Sequence, residues 1–433
     1  MIEIFNIFYL LVGLTLIFFF PSKIIFNSSK NTTNDFFEIL IINIILVLNI
    51  FLILSFLELN LIYVFYVFVF LGFLNIVLFH SNILIKKNYF FLIFLFFSLM
   101  LSIRIAASPG LDWDASVIWI FKAKNFYDGF SFSNLSNVEG VVAYPHLGAY
   151  GWALIWKNSL LDYEYTGRMF YVFIYLASIF FVINKFNLTF TIKVFTAFLL
   201  TMLTFDHGLF SGYQEPLMFA LIITLFEIAK KANSFKNLNI FHFVCILNAN
   251  LILWVKNEGF VWLVFILLYF LIHKNYKQQT KFLYSFSFLT LIILKFSVFN
   301  FHFQENLIGW SSYEFISISQ IFSLEIMQKL PILIYQLMQV FFKYPIYLIF
   351  LLLIFYLIAV KKISHTHWVY FVFFALNCSL SISIFYFTKD PLWQFHASVG
   401  LDRMLYQTSG VYLFFILDIL IKYFSRIGGN DKN

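Results

Sequence analysis

The side chains best suited to chemistry in this sequence lie in one stretch, residues 111–128, which reads LDWDASVIWIFKAKNFYD. It holds three aspartates and two lysines in a chain that is 62% hydrophobic and only 11% charged. Acidic side chains beside apolar segments are costly, so they are candidates for function. A carboxylate in the first turn of a helix can also be a simple cap, so Asp112 and Asp114 need partners to count as catalytic. Arg104 shortly before them and Lys122 shortly after them are candidate partners.

Three further polar stretches interrupt the apolar runs later in the chain. Glu215 stands in SGYQEP, at the expected start of a helix, where capping is the competing interpretation. Lys256 and Glu258 stand in WVKNEG, a charged break that predicts a phosphate contact with an orienting carboxylate. His396 and Arg403 precede or begin the last apolar run, where they could bind a phosphate or anchor the chain at the interface.

Together these residues suggest group transfer assisted by acidic residues. Asp114 and Glu215 could hold a divalent cation, Mg²⁺ or Mn²⁺, or divide the roles of base and positioning residue. The sequence contains no HExxH, GxSxG, P-loop or GxGxxG motif, which argues against metalloprotease, serine hydrolase and nucleotide-driven chemistry. Cys245 and Cys378 are predicted to be free thiols, since their spacing suits no structural metal.

The elements that position these residues must lie in a membrane. A mean hydropathy of +0.88 and 64 phenylalanines leave too much apolar surface for a soluble protein. The net charge of +7 comes from basic residues scattered in short loops, so no nucleic-acid surface is expected. We predict an all-α, polytopic membrane protein with about thirteen transmembrane helices. The apolar runs fall near residues 3–20, 36–57, 61–84, 89–106, 165–184, 191–206, 213–229, 239–255, 259–272, 282–300, 345–360, 367–387 and 403–422.

The distribution of charge predicts an orientation. Assigning alternate loops to the cytoplasm places about 17 of the 28 basic residues on that side, as the positive-inside rule requires. Every candidate acidic residue then lies on the opposite, extracytoplasmic side. Two long polar intervals, roughly 107–164 and 301–344, lie there too. We expect short amphipathic surface helices around Trp119 and after Pro145, and another in the segment 326–343.

The order of these motifs resembles that of bacterial GT-C glycosyltransferases. The matching segments are LDWDA with Trp119 and the following KAK, then YPHL, GYQEPL, WVKNEG and the dipeptide Asp402-Arg403. The sequence is similar to the mannosyltransferases and aminoarabinose transferases that use polyprenyl-phosphate-linked sugars. The resemblance covers about residues 89–410.

This resemblance implies a single membrane domain over residues 1–433. The core of this domain would span residues 89–423, and the outer catalytic loop would span residues 107–164. Residues 1–88 would form additional N-terminal helices. The implied activity is inverting transfer of a hexosyl or pentosyl group to a glycan, lipid or protein acceptor. The implied location is the bacterial inner membrane, in contact with lipid and with the active site facing the periplasm or exterior. Gln214-Glu215 departs from the aspartate expected there, which leaves metal dependence open.

Two other hypotheses remain at the level of sequence. A secondary transporter or lipid flippase would show inverted repeats and ionisable residues near the middle of the membrane, and here Lys295 is the chief basic residue within a span. A protein similar to O-antigen polymerases or ligases would depend on outer loops dominated by arginine. Convergence of Asp114, Glu215, Lys256 and Arg403 at one place is the geometric prediction of the transferase hypothesis.

Overall fold

The computed structural model describes residues 2–21, 35–78, 89–137, 144–235, 238–274, 276–303 and 323–428. Within these ranges the chain folds into α-helices joined by short loops, with one π-helical and three 3₁₀ segments. The α-helices are α1 (Ile2–Phe18), α2 (Phe36–Leu54), α3 (Leu61–Leu78), α4 (Tyr89–Ala107), α5 (Ile120–Tyr127), α6 (Leu147–Lys157), α7 (Met169–Asn184), α8 (Phe190–Thr204), α9 (Glu215–Ser234), α10 (Ile240–Val255), α11 (Gly259–Ile272), α12 (Gln278–Phe303), α13 (Leu324–Met327), α14 (Lys329–Lys343), α15 (Ile346–Ala359), α16 (His365–Tyr386) and α17 (Trp393–Gly428).

The prediction of an all-α chain is confirmed for the described residues, and their long apolar helices are consistent with a membrane protein. Each of the thirteen apolar runs contains a helix, but thirteen crossings are not established. By length and composition, seven helices among the described residues could cross a membrane, or eight if the bent pair α14 and α15 forms one span. Helices α1, α8, α10 and α11 are apolar but shorter than 18 residues. Helices of this length lie at or below the lower limit, about 17 residues, for crossing the hydrocarbon layer.

Helices α7 and α9 form the centre of the molecule. Every residue from Met169 to Ile183 of α7 is buried. Helix α9 packs against α7, α10 and α17, and only the polar residues near its C-terminal end reach the surface. In helices α3, α4 and α12 only about a third of the residues or fewer are buried, so these helices lie at the periphery. All five helices are apolar, so composition alone did not distinguish the central helices from the peripheral ones.

The N-terminal helices are packed into this bundle. Helix α2 lies against α7 and α10, and α3 lies against α6. The Asn250 side chain in α10 donates a hydrogen bond to Asn49 Oδ1 in α2 at 3.0 Å. At the end of α2, Ser55 Oγ lies 2.6 Å from His146 Nε2, just before α6. The additional N-terminal helices therefore support the outer loop that contains the candidate residues.

The expected helices of the outer loop are present, but the placement of the second one was wrong. Trp119, Lys122 and Phe126 form the expected stripe and are buried. Helix α6, which follows Pro145, was expected to lie on the membrane surface. Instead, every residue from Leu147 to Ile155 is buried. Trp152 is completely buried and packs against Tyr171 of α7, so the amphipathic pattern of α6 did not mark a solvent boundary.

The third expected surface segment forms α14. Helix α14 meets α15 at an angle of 95°. This bend directs Lys343 and Tyr344 toward the loop before α9, where both contact Asp206. Residues 304–322 of the same polar interval lie outside the described residues.

Basic side chains gather at the end of the bundle remote from the candidate residues. The buried Glu38 in α2 forms ion pairs there with Lys185 and Lys231. Other lysines assigned to that face, namely Lys23, Lys30, Lys86, Lys87, Lys236 and Lys432, lie outside the described residues.

Candidate active site

Arg403 joins two carboxylates that are far apart in the sequence. Its Nη2 atom lies 2.5 Å from Asp114 Oδ2, and its Nε atom donates to Glu215 Oε1 at 2.8 Å. Asp114 comes from the outer loop, Glu215 begins α9, and Arg403 lies in α17. Three separate parts of the fold therefore meet at one guanidinium group.

Lys256 extends this network from the turn between α10 and α11. Its ammonium donates to Glu215 Oε1 at 2.9 Å and lies 3.3 Å from Glu258 Oε1. Burial alone would lower the pKa of Lys256, but the carboxylates of Glu215 and Glu258 outweigh this effect and raise the pKa above its ordinary value. Lys256 is thus held as a cation. We call Asp114, Glu215, Lys256, Glu258 and Arg403 the Arg403 cluster.

The members of the Arg403 cluster differ in how much of each side chain is exposed to solvent. The Glu215 side chain is completely buried, whereas 24% of the Asp114 side chain is exposed. Arg403 lies between them and stacks on the ring of Tyr213, with its guanidinium carbon 3.9 Å from the ring centroid. A ligand arriving from outside would therefore meet Asp114 and Arg403 before Glu215.

The helix-cap interpretation does not describe Asp114 or Glu215. Asp114 precedes the π-helical segment Ala115–Trp119 and forms no side-chain cap hydrogen bond. The cap position of α9 is Gln214, whereas the Glu215 carboxylate contacts Arg403 and Lys256. A π-helical turn often occurs at functional sites, where it redirects side chains. Here it immediately follows the carboxylate that contacts Arg403.

Arg168, which sequence analysis did not select, fixes the approach to Asp114. It is fully buried and donates to the Gly110 carbonyl at 3.0 Å and to the Pro109 carbonyl at 2.5 Å. Glu164, four residues earlier, holds the guanidinium through an ion pair of 2.6 Å. The spacing of Glu164 and Arg168 was a visible signal for an ion pair, but not for its contact with this loop.

A second ionic network lies beside the first. Lys343 bridges Asp206 at 2.9 Å and Asp402 at 2.6 Å, and the Tyr344 hydroxyl donates to Asp206 at 2.7 Å. Burial would raise the pKa of Asp206, but the hydrogen bonds from Tyr344 and Lys343 reverse this effect, so its pKa is lowered. Because Asp402 precedes Arg403 in α17, the two networks are adjacent. Sequence analysis had no signal for Lys343 beyond its place at the end of a helix.

Four other candidates lie apart from the Arg403 cluster. Lys122 is buried and donates to the Tyr144 carbonyl, and His396 lies 3.2 Å from Asp390. Arg104 is exposed in the last turn of α4. Asp112 is exposed, and its backbone amide donates to the Ser211 carbonyl at 3.3 Å. That hydrogen bond joins the outer loop to the loop that precedes α9.

The arrangement does not suit a divalent cation bound between Asp114 and Glu215. The guanidinium of Arg403 already occupies the position between these carboxylates, and Lys256 also contacts Glu215. Throughout the described part of the chain, no group of three or more His, Cys, Asp or Glu side chains could hold a metal ion. The positive charges at this site come from the chain itself.

Comparison with known proteins gives no relative for this chain: no family model, curated protein or solved structure matches it. Its function must therefore be argued from its own residues.

Proposed function

We propose that this protein is a membrane glycosyltransferase of the GT-C type. It transfers a hexosyl or pentosyl group from a polyprenyl phosphate to an acceptor at the extracytoplasmic face of a bacterial inner membrane, with inversion at the anomeric carbon. The observation that carries the proposal is the contact of Arg403 with both Asp114 and Glu215. This contact places an accessible carboxylate beside a cation at one end of an apolar helical bundle.

The reaction needs one base and one positive charge. An acceptor hydroxyl attacks the anomeric carbon while the bond from that carbon to the phosphate oxygen breaks. Asp114 takes the hydroxyl proton, and the polyprenyl phosphate leaves with the bonding electron pair. Asp114 is assigned as the base because it is the most exposed carboxylate of the Arg403 cluster.

Arg403 is assigned to the departing phosphate. Two of its five N–H donors are used in the contacts with Asp114 and Glu215, which leaves donors for phosphate oxygens. When the phosphate binds Arg403, the contact between Arg403 and Asp114 weakens. The Asp114 carboxylate then becomes a better base. This order couples binding of the donor to activation of the acceptor.

Glu215 and Lys256 are assigned as positioning residues. Both are buried, and their mutual contact of 2.9 Å fixes the inner side of the Arg403 cluster. Glu258 completes this arrangement by contacting Lys256 from the turn. Lys256 contributes positive charge behind Arg403, which favours an anionic leaving group.

Replacement of Asp114 tests the proposal. The purified Asp114→Asn variant should lose activity by a factor of about 10²–10⁴ because it lacks the base. The assay incubates the protein with a panel of polyprenyl-phosphate sugars and acceptors and measures release of polyprenyl phosphate. Asp128→Asn is the matched control, since Asp128 is exposed at the end of α5 and lies outside the Arg403 cluster.

The result can contradict the proposal in two ways. Full activity in Asp114→Asn would remove the assignment of the base. Absence of donor consumption by the wild-type protein across the panel, with bound donor returned unchanged, would favour a transporter or flippase instead.

A further inference from the structure

A second polar site lies in the bundle, separate from the Arg403 cluster. It is a cavity of about 280 Å³ between the C-terminal part of α9, the end of α11, the start of α16 and the C-terminal part of α17. Its polar lining includes Lys230, His273, Ser364, His367 and Asp418. None of these residues takes part in the proposed transfer reaction.

Two helices show that this cavity is at the opposite end of the molecule. Lys230 follows Glu215 by fifteen residues in α9, and Asp418 follows Arg403 by fifteen residues in α17. At about 1.5 Å per residue, each pair is separated by roughly 22 Å along its helix. The distance is a large part of the roughly 30 Å hydrocarbon thickness. The cavity therefore lies near the other membrane boundary, at the end that is rich in lysine.

The charges at this cavity favour an anion. The Lys230 side chain is 57% exposed, and its ammonium is 3.8 Å from Asp418 Oδ1, too far for a hydrogen bond. Burial lowers the pKa of His273, and the nearby His365 and Lys281 lower it further, so its neutral imidazole takes part in hydrogen bonding rather than in an ion pair. The opposing acidic groups are Asp418 and the buried Glu227, one turn before Lys230. An oxyanion could bind Lys230 in competition with Asp418, whose contact with the ammonium is long.

The walls of the cavity suit the apolar part of such a ligand. Phe226, Tyr269, Tyr370 and Phe414 line it, and Lys230 lies over the ring of Phe414, 4.7 Å from its centroid. Aromatic rings with a polar rim are typical of membrane boundaries, where one end of a molecule is wet and the other apolar.

We infer that this cavity binds a phosphate group, supplied either by a phospholipid headgroup or by a soluble phosphate compound. Lys230, His273 and the hydroxyl and imidazole groups at the start of α16 would contact the phosphate oxygens, and the aromatic walls would hold the attached carbon chain. The inference does not rest on the proposed glycosyltransferase activity, because no residue is shared between the two sites.

Binding to the full-length protein in dodecyl maltoside micelles tests the inference. The probes are phosphatidylglycerol, inorganic phosphate and, as a lipid without phosphate, diacylglycerol. Bound lipid is counted by native mass spectrometry, and phosphate binding is measured by calorimetry. We expect phosphatidylglycerol or phosphate to bind and diacylglycerol not to compete. Loss of one charge-assisted contact in Lys230→Gln should weaken binding about tenfold.

Two further variants locate the bound phosphate. Lys193→Gln is the matched control, since Lys193 is at the same end but bonds to Asn184 Oδ1 at 2.8 Å, away from the cavity. It should bind like the wild type. His273→Gln should weaken binding as Lys230→Gln does, and it keeps the test valid if Lys230→Gln folds poorly.

Two outcomes support the inference. Binding of phosphatidylglycerol alone would identify a lipid as the source of the phosphate. Competition by inorganic phosphate would show that the phosphate group itself is recognised. Equal affinity for diacylglycerol, no binding of either phosphate probe, or loss of binding in Arg403→Gln but not in Lys230→Gln would overturn it.

Discussion

At the scale of single residues, Glu215 is the most constrained member of the Arg403 cluster. Its carboxylate is fully buried and contacts two cations, Lys256 and Arg403. Buried charges are tolerated when they are paired, and removing one partner leaves an uncompensated charge. Glu215 should therefore matter for stability as well as for the arrangement of the site.

The variant Glu215→Gln should lower the free energy of unfolding by about 3–5 kcal/mol, because Arg403 and Lys256 lose their shared counter-charge. Thermal unfolding in detergent, followed by circular dichroism, should show a clear decrease in Tm. Glu258→Gln is the matched control: it also contacts Lys256, but it is partly exposed and leaves the Glu215 pair intact. Equal Tm values for the two variants would contradict this account.

The pH dependence of stability provides a test of the neighbouring network. The pKa of Asp206 is lowered below its ordinary value of 3.8 in the folded protein. Its stabilising contribution is therefore present above that value and is lost as the pH falls through the folded-state pKa. We expect the Tm to fall as the pH drops below about 4, and Asp206→Asn to flatten this dependence.

Asp128→Asn serves as the control for the acid titration, since Asp128 is exposed. An Asp206→Asn profile that matches the profiles of wild type and Asp128→Asn would show that the contacts of Asp206 with Lys343 and Tyr344 do not stabilise the fold.

Residue types and motif order in the sequence selected five residues that the structure brings together: Asp114, Glu215, Lys256, Glu258 and Arg403. They could be found because charged side chains are rare in so apolar a chain. The same logic also selected Lys122, which instead bonds to the Tyr144 carbonyl, and it overlooked Arg168 and Lys343. Sequence shows that a charge is present, but the backbone path decides which group it meets.

At the scale of elements, the loop before α9 depends on one glycine. Gly212 has a φ of +98°, which L-residues with a side chain rarely adopt. A Cβ atom there would lie 2.7 Å from Trp152 Cη2 and 2.8 Å from Ala115 Cβ. This position thus joins the loop of Glu215 to α6 and to the π-helical segment after Asp114.

We expect Gly212→Ala to destabilise the protein by about 1–3 kcal/mol and to reduce transfer activity, because the loop must move away from Trp152. Gly110→Ala is the matched control, since a Cβ atom at Gly110 would meet nothing within 4 Å. Unfolding temperature and activity should be measured together for both variants. Unchanged values in Gly212→Ala would show that the loop adapts without cost.

The apolar runs predicted where most helices lie along the chain, but they did not predict which helices are buried. The predicted start of α9 at Glu215 was confirmed, since the polar turn and the proline after it mark a helix N-terminus. The burial of α6 could not be predicted, because tryptophan and tyrosine suit both a membrane surface and a protein interior. The 95° bend between α14 and α15 also depends on packing against α16 and α17.

At the scale of the whole molecule, charged groups occupy the two ends of the bundle. The Arg403 cluster lies at one end, and Glu38 with Lys185 and Lys231 lies at the other. Such an asymmetry predicts that the Arg403 cluster faces away from the cytoplasm.

Cysteine labelling tests this orientation. In a background with Cys245 and Cys378 replaced by alanine, Asp128→Cys should react with an impermeant maleimide in intact spheroplasts. Lys230→Cys, at the opposite end, should react only after permeabilisation. Both side chains are exposed, so a difference in labelling reports the side of the membrane. The reverse pattern would place the Arg403 cluster in the cytoplasm and contradict the proposed donor side.

The sequence by itself determined that the chain is helical and suited to a membrane, because long apolar runs can satisfy their backbone groups in lipid only as helices. It also determined most helix positions, because the runs end at polar or turn-forming residues; the start of α17 was wrong, since this helix begins at Trp393 and includes His396 and Asp402, which were expected in a loop. Only the tertiary structure decided that Asp114, Glu215 and Arg403 meet and that α6 is buried. Such contacts join residues as many as 289 positions apart, and local sequence patterns contain no information about which distant helix will pack beside them.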